Sequence, residues 1–427
     1  MAAVLIAILS LTILGISIAL ALDRSARGAL LLGSAFLYGS GGVFVILLLL
    51  PWKLPVIAIA ALTLAVGCWL LAVRSSPRPT ANGQRPTITD FATLIPLAAY
   101  AVYATLARVW EWDFWAIWGL KGRDFFEHGG IDWRFLAGRW NGFLHPDYPL
   151  LVPLNYDFVA LVGGGWNDRW LGILNVAYAV ALLLVARALA ARETTPLVAA
   201  LLTFALAWIA PSRFIGLAEG ALIAFGGAAV LFLRDALRRD DGASWRHGAV
   251  LLGFAANCKN EGLALLAVVT IVILLLHRKA VLRLWPSYAL AAPWLVLRAV
   301  HALPTDIASD HAPARLAVRL RFAPQILDYL ATHLYQQWFW IIILAGLLII
   351  PKKGEAFVLL VTALQLAVYA AAYFVTPYDV RWHVGTSWPR LTEQVAVPIT
   401  FVVFLGLAEI ISRRDDARHA EARSEQP

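Results

Sequence analysis

The stretch AAVLIAILSLTILGISIALAL (residues 2–22) contains no charged side chain. A helix of this length rises about 1.5 Å per residue and covers the roughly 30 Å hydrocarbon core of a bilayer. Apolar runs similar to residues 2–22 recur along the chain at 29–50, 54–73, 91–108, 169–190, 195–211, 217–233, 283–300, 332–350, 355–375 and 393–412. Residues 247–277 fit a helical hairpin that is broken in the middle. We therefore predict an all-α polytopic membrane bundle of about 11–13 transmembrane helices, with interfacial helices in a long first outer loop.

The composition agrees with this class of protein. Hydrophobic residues make up 61% of the 427 residues and charged residues 15%. A soluble domain has about 45–50% apolar and about 25% charged residues, so a soluble enzyme, a disordered protein and a DNA-binding domain are excluded. Two cysteines, Cys68 and Cys258, give no disulfide framework.

The basic residues are distributed unevenly between the predicted loops. Short loops near 24–27, 74–85, 187–192, 234–246, 278–283 and 352–353, together with the tail, hold 20 of the 35 Lys and Arg residues. The positive-inside rule places these loops in the cytoplasm and puts 109–168, 301–331 and 376–392 outside. The net charge of +8 is thus a topology signal, and no nucleic-acid partner is predicted.

Three regions follow from this reading. Residues 1–90 form an N-terminal three-helix transmembrane addition with its inner loop. Residues 91–412 form the main core, and its outer loop 109–168 is the place to look for chemistry. Residues 413–427 form a charged cytoplasmic tail, which we predict to be disordered.

The first outer loop opens with WEWDFWAIWGLKGRDFFEHG (110–129). Its spacing predicts an interfacial amphipathic helix over 113–127 that carries Lys121. Asp113 lies among Trp112, Phe114 and Trp115 just after a membrane helix, so partial desolvation suits it to act as a general base. The alternative is an aromatic belt at the lipid headgroups with the charges in water.

Two further outer features could contribute to a site. The segment HPDYPLLVP (145–153) cannot continue a regular helix, and it either makes a stiff re-entry turn or presents His145, Asp147 and Tyr148 to a ligand. Glu219 falls in the first turn of a helix that enters the membrane from outside. The helix dipole favours a carboxylate there, but its depth also suits a site inside the protein.

The hairpin is interrupted by NCKNEG (257–262). Each arm is too short to cross the bilayer, so Lys259 and Glu261 are predicted to lie below the outer surface. Irregular backbone at that depth lines a cavity or is buried in protein. The two side chains either neutralise each other or form a phosphate-binding cation with an orienting carboxylate.

The last outer loop (376–391) contains Arg381, His383 and Arg390 beside aromatic residues, which suits a phosphate and a sugar ring or, alternatively, solvated charge. The loop 301–331 contains His and Asp residues (His301, Asp306, Asp310, His311) that could ligate a divalent metal. Their spacing is not diagnostic, so no metal and no other cofactor is predicted.

In this order the motifs resemble the GT-C superfamily of membrane glycosyltransferases, whose relatives include the aminoarabinose transferase and the protein O-mannosyltransferases. The resemblance covers about residues 91–412. It rests on the early outer acid, the His-Pro-Asp-Tyr-Pro turn, the acid at a later outer helix end, the Lys-Asn-Glu-Gly break and the Trp-His…Ser-Trp-Pro-Arg segment. Helices 1–3 depart from the family pattern, in which the first helix leads directly into the outer loop.

The resemblance implies inverting transfer of a sugar from a polyprenyl-phosphate donor to a hydroxyl of a lipid, glycan or protein acceptor. Such a chain would lie in the bacterial inner membrane among its lipids, with its active site facing the periplasm, and build a cell-envelope glycan. Asp113 matches the family's catalytic acid and Glu219 its second outer acid. Phosphate contacts are implied for Lys121, Lys259, His383 and Arg390.

Two other functions stay open. Broken helices with buried charges also mark transporters and lipid flippases, although no inverted repeat is visible in the sequence. A glycan ligase that uses a diphosphate-linked donor is the third possibility, and dependence on a diphosphate donor would distinguish it.

Overall fold

The computed structural model describes residues 1–74, 88–107, 111–138, 144–209, 216–305, 312–350 and 354–424. These residues form helices and connecting turns without a β-strand. The first ten helices are α1 Ala2–Leu22, α2 Gly28–Leu49, α3 Leu54–Arg74, α4 Ile88–Ala92, α5 Leu94–Leu106, α6 Gly119–His128, α7 Trp133–Ala137, α8 Leu151–Gly163, α9 Ile173–Ala190 and α10 Pro196–Ile209.

The remaining nine helices complete the described part of the bundle. They are α11 Glu219–Arg239, α12 Gly242–Ala255, α13 Asn260–Leu276, α14 Trp285–Val300, α15 Ala312–Arg319, α16 Ala323–Gln336, α17 Trp338–Ile349, α18 Ala356–Val375 and α19 Val380–Ser424. A single π-helical turn, Phe114–Trp118, leads directly into α6.

Within the described residues, eight helices are long and apolar enough to cross a membrane, or nine if one bent pair counts as a single span. This confirms a polytopic helical membrane protein, but the number is lower than the 11–13 predicted. Three shorter apolar helices that coincide with predicted segments account for much of the difference: Pro55–Leu71, Pro196–Ile209 and Asn260–Leu276. The last of these is the second arm of the predicted broken hairpin.

The outside of the bundle is apolar, as a bilayer requires. Large side chains such as Leu9, Ile13, Leu275, Leu295 and Ile342 are exposed. Exposed apolar surface of this extent is unfavourable in water and favourable against lipid tails.

Helix α2 is packed inside the bundle. Ser40 Oγ lies 2.6 Å from Tyr178 Oη, and Tyr38 Oη lies 2.5 Å from His247 Nδ1. Helices α1 and α2 approach so closely that a Cβ on Gly39 would fall 1.7 Å from the carbonyl oxygen of Leu11. The boundary predicted at residue 90 stays a prediction, but α2 is an integral part of the core.

Those predicted inner-side loops that fall within the described residues meet at one end of the bundle, whereas most of 74–85 and all of 352–353 lie outside the described residues. Arg192 pairs with Asp235 at 2.5 Å, and Arg187 pairs with Asp90 at 2.7 Å. Arg283 lies 3.9 Å from Asp240, so the hairpin α12–α13 begins and ends at this same end. The grouping of the loops agrees with the prediction, and which end faces the cytoplasm remains a prediction.

Arg234 lies at the centre of the ion pairs at this end of the bundle. Its guanidinium, 3% exposed, bonds Glu193 at 2.5 Å and Glu355 at 2.5 and 2.7 Å, which ties α11 to the α9–α10 turn and to the start of α18. Buried charges are stable only when paired, because removing one partner leaves the other desolvated.

We expect Arg234→Met to destabilise the protein by about 3 kcal/mol, since it leaves Glu193 and Glu355 without this cation. Thermal unfolding in detergent measures the loss. The control Arg239→Met removes an arginine that is 45% exposed on the same helix and should change stability by less than about 0.5 kcal/mol. Equal melting temperatures for the two variants would contradict this role of Arg234.

Three sequence predictions about local structure are wrong. The span predicted at 332–350 is broken, because the chain leaves helical geometry at Gln337 and α17 is bent 95° from the preceding segment. The loop predicted at 376–392 is largely helical, since α19 begins at Val380 and runs through Pro389 and Pro398. The same helix continues to Ser424, into the tail predicted to be disordered.

Candidate active site

The predicted functional side chains meet at the end of the bundle opposite Arg234. Five of them form what we call the charged cluster: Asp113, Glu219, Lys259, Glu261 and Arg390. They come from the turn before α6, the start of α11, the break between α12 and α13, the first turn of α13, and the N-terminal part of α19. Residues far apart in the sequence therefore converge on one place.

The charges in this cluster alternate in sign. Arg390 Nη1 donates to Asp113 Oδ2 at 2.9 Å, and Arg390 Nε lies 3.5 Å from Glu219 Oε1. Lys259 Nζ is 2.9 Å from Glu219 Oε1 and also 2.9 Å from Glu261 Oε1. Three carboxylates and two cations leave the cluster with a formal charge of −1.

The two ends of the cluster differ in burial. The side chains of Lys259 and Glu219 are 4% and 0% exposed, whereas those of Arg390 and Asp113 are 20% and 21% exposed. The first pair is thus enclosed by protein, while the second is accessible from outside the bundle.

Local geometry explains why Lys259 and Glu219 meet. Helix α11 begins at Glu219, so the carboxylate predicted for its first turn lies at the end of the bundle opposite Arg234. Helix α12 ends at Ala255 and α13 begins at Asn260, which leaves Lys259 in extended conformation between the two arms. A Cβ on Gly262 would fall 1.9 Å from the carbonyl oxygen of Ala255, so only glycine permits the arms to approach this closely.

The turn 144–150 packs directly against this break. Leu151 N donates to the carbonyl of Asn257 at 3.0 Å, and Asn260 Nδ2 donates to Asp147 Oδ2 at 2.8 Å. Asp147 is buried and also accepts from Thr305 Oγ1 at 2.9 Å. The carboxylate of Asp147 therefore fixes the position of the helix break and, with it, of Lys259.

Lys121 lies on the other side of the same turn. Its ammonium donates to the carbonyl of His145 at 2.6 Å and sits 5.9 Å from the centre of the Tyr148 ring. Lys259 Nζ is also 5.9 Å from that ring, so Tyr148 lies between the two lysines. His145 stacks on Tyr148 and has a positive φ of 46°, a strained conformation for a residue with a side chain.

Burial lowers the pKa of Lys121 to about 7, although the nearby charge of Asp147 acts in the opposite direction. Among the described residues, no carboxylate lies within ion-pair distance of this ammonium. Lys121 is thus a buried cation whose proton is held weakly.

His383 lies on α19 two turns before Arg390, but it makes no hydrogen bond to the charged cluster among the described residues. Its ring packs edge-on against Tyr373, with 5.0 Å between ring centres. Of the ten predicted site residues, the structure thus connects eight through ion pairs, hydrogen bonds and ring contacts. It joins Asp147 to them through Asn260 and leaves His383 beside them.

Sequence reasoning missed two side chains that hold the site. Arg298 lies 3.7 Å from Asp147, and Thr305 bonds the same carboxylate. The sequence held one signal for Arg298: it falls in the last turn of α14, at the end of the predicted span 283–300 that is assigned to the outside. Parts of the predicted motifs, including Trp110, Asp306, Asp310 and His311, lie outside the described residues.

No group of three or more His, Cys, Asp or Glu side chains in the described segments is arranged to hold a metal ion.

A cavity of about 260 Å³ lies between the start of α1 and the end of α8, lined in part by Trp166 and Trp170. None of the predicted site residues lines it.

Comparison with known proteins adds no relative. No protein-family model, no curated protein and no solved structure matches this chain. The functional assignment therefore depends on the geometry of the charged cluster and on the motif order in the sequence.

Proposed function

We propose that this protein is a membrane glycosyltransferase that moves a sugar from a polyprenyl-phosphate donor to an acceptor hydroxyl, with inversion. The observation that carries the proposal is the contact of Asp113 with Arg390, next to the enclosed Glu219–Lys259 pair. Glycosyl transfer needs a base at the acceptor and fixed cations at the leaving phosphate. Asp113, Arg390 and Lys259 supply these groups within one cluster.

In the proposed reaction, Asp113 removes the proton of the acceptor hydroxyl as the acceptor oxygen attacks the anomeric carbon. The bond between that carbon and the donor phosphate oxygen breaks, and its electron pair stays on the phosphate. Arg390 and Lys259, with Lys121 when protonated, stabilise the charge that develops on this leaving group. Attack opposite the leaving phosphate inverts the anomeric centre.

Glu219 and Asp147 act through other residues in this scheme. Glu219 holds Lys259 at 2.9 Å and lies 3.5 Å from Arg390, so it sets the distance between the two cations. Asp147 fixes the helix break through Asn260. Glu261 gives Lys259 a second carboxylate partner.

The direct test is a transfer assay in proteoliposomes with a panel of synthetic polyprenyl-phosphate sugars. We expect release of free polyprenyl phosphate together with a glycosylated acceptor from at least one donor. Release that requires a polyprenyl diphosphate sugar, with none from any monophosphate, would favour the ligase alternative.

Lys121 gives the proposed reaction a pH dependence of defined sign. Burial lowers the pKa of this lysine to about 7, so the amine is cationic below that pH and increasingly neutral above it. The donor phosphate loses one cationic contact as the pH rises. We therefore expect kcat/KM for the donor to fall above about pH 7, by at most about tenfold per pH unit.

A pH–rate profile checks this expectation. Lys121→Met should lower kcat/KM at about pH 6 and remove the decline that begins near pH 7. The same decline in wild type and variant would assign it to another group.

One observation also fits a transporter. Lys259 lies at a break between two short helices with its charge enclosed, as in transporters built from discontinuous helices. Movement of a labelled lipid across proteoliposomes, without any transfer of sugar and unaffected by Asp113→Asn, would support that function instead.

A further inference from the structure

The pair Asp113–Arg390 has the features of a contact that a ligand can replace. About one fifth of each side chain is exposed, whereas the neighbouring pair Glu219–Lys259 is enclosed. An incoming anion can therefore reach Arg390 without opening the core of the cluster. It cannot reach Lys259 as easily, because Glu219 and Glu261 both hold that ammonium at 2.9 Å.

Among the described residues, the guanidinium of Arg390 uses one N–H, that of Nη1, in a hydrogen bond. Its Nε is buried and, among the described residues, has no hydrogen-bond partner, since Glu219 at 3.5 Å does not meet hydrogen-bond geometry. Guanidinium groups bind phosphate oxygens through two parallel N–H donors. These two donors are Nη1 with Nη2, or Nε with Nη2. Asp113 now uses Nη1, so a phosphate in its place would engage the Nη1–Nη2 edge of the guanidinium.

The net charge of the cluster favours replacement of Asp113 by a phosphate over binding of the phosphate beside it. With three carboxylates and two cations the cluster is already at −1. A phosphate that joined it beside an ionised Asp113 would put a further negative charge within a few ångströms of that carboxylate, which is strongly unfavourable in a partly buried site. A phosphate that replaces Asp113 on Arg390 avoids this repulsion.

We propose that Asp113 occupies the phosphate position on Arg390 in the ligand-free protein and that the donor phosphate displaces it, which releases the base only when donor is bound. This inference rests on the proposed function. While Arg390 Nη1 donates to Oδ2 of Asp113 at 2.9 Å, that oxygen is occupied and does not face an acceptor hydroxyl. Displacement thus converts Asp113 from an ion-pair partner of Arg390 into a base for the acceptor hydroxyl.

The exchange also fits the movement of charge during transfer. The acceptor proton neutralises Asp113, while the electron pair of the broken bond between the anomeric carbon and the phosphate oxygen remains on the phosphate. One negative charge therefore disappears from Asp113 and one develops on the leaving group. Arg390 contacts the first position and, in the exchanged state, the second.

Binding of dodecyl phosphate to the purified protein tests the exchange. Asp113→Asn should bind this probe at least tenfold more tightly than wild type, because the competing carboxylate is gone. Glu111→Gln is the matched control: it removes the same charge from an exposed side chain two residues away and should bind within about twofold of wild type. Arg390→Gln should bind at least tenfold more weakly.

A second measurement uses wild-type protein alone, in case Asp113→Asn does not fold. Carbodiimide labelling, mapped by peptide mass spectrometry, should modify Asp113 faster when dodecyl phosphate is present. Equal or weaker probe binding by Asp113→Asn, or slower labelling of wild-type Asp113 with the probe, would overturn the exchange. If wild type still transfers sugar in that case, the proposed function stands without the exchange. If wild type neither binds dodecyl phosphate nor transfers sugar, both the exchange and the proposed function are overturned.

Discussion

Asp113→Asn is expected to lower the rate of sugar transfer by about 10³-fold while the protein still binds its donor. General-base catalysis contributes roughly 10² to 10⁴ to a rate, and asparagine preserves the shape of the side chain without accepting the proton. Steady-state kcat for release of polyprenyl phosphate is the readout. The loss should fall on kcat, while the affinity for donor should not weaken.

Glu111→Gln again serves as the control, since Glu111 is exposed and lies two residues from Asp113. Its kcat should stay near that of wild type. Wild-type turnover by Asp113→Asn would show that Asp113 is not the base and would remove the main support for the glycosyltransferase assignment.

Lys259→Met is expected to destabilise the protein by about 3–5 kcal/mol and to abolish transfer. The substitution leaves Glu219, fully buried, and Glu261 without the cation that both contact at 2.9 Å. Breaking a buried pair costs this much because the remaining charge stays desolvated. Thermal unfolding in detergent measures the effect.

The double variant Lys259→Met with Glu219→Gln should regain part of that stability without regaining activity, because one of the two orphaned charges has been removed. Lys279→Met, at an exposed position at the opposite end of the bundle, is the control and should melt like wild type. A Lys259→Met protein as stable as wild type would mean that the pair contributes little to folding.

The sequence predicted the fold class because long apolar runs leave few alternatives in a chain of this composition. It predicted the position of Glu219 at a helix start and of Lys259 at a helix break, since both depend on a few neighbouring residues. It did not predict that Arg390 contacts Asp113. That contact joins residues 277 positions apart and depends on how α19 packs.

The errors have a similar origin. The sequence predicts a loop before 393, but α19 continues through Pro389, whose carbonyl accepts from Gln337 Nε2 at 2.9 Å. The same Gln337 marks the bend that divides the predicted span at 332–350, because its side chain also accepts from Thr392 Oγ1 at 2.7 Å. Tertiary hydrogen bonds of this kind decide local structure and leave no periodic signal.

The alternating charges of the cluster also explain why each residue, taken alone in the sequence, allowed both a structural and a functional interpretation. Lys259 and Glu261 do neutralise each other, as the simpler interpretation held, and the same contact places the lysine beside Glu219. A structural ion pair and a catalytic cation are therefore compatible roles for this residue. Kinetic measurements on the variants above separate them, because only the catalytic role predicts a loss of kcat in protein that is still folded.

Mass spectrometry of lipids that copurify with the protein tests the central claim most directly, since it detects the bound lipid whichever sugar the donor carries. The account predicts a polyprenyl monophosphate with wild type, the same lipid carrying a sugar with Asp113→Asn, and neither with Arg390→Gln. The same ordinary phospholipids in all three preparations, with no polyprenyl phosphate in any of them, would contradict it.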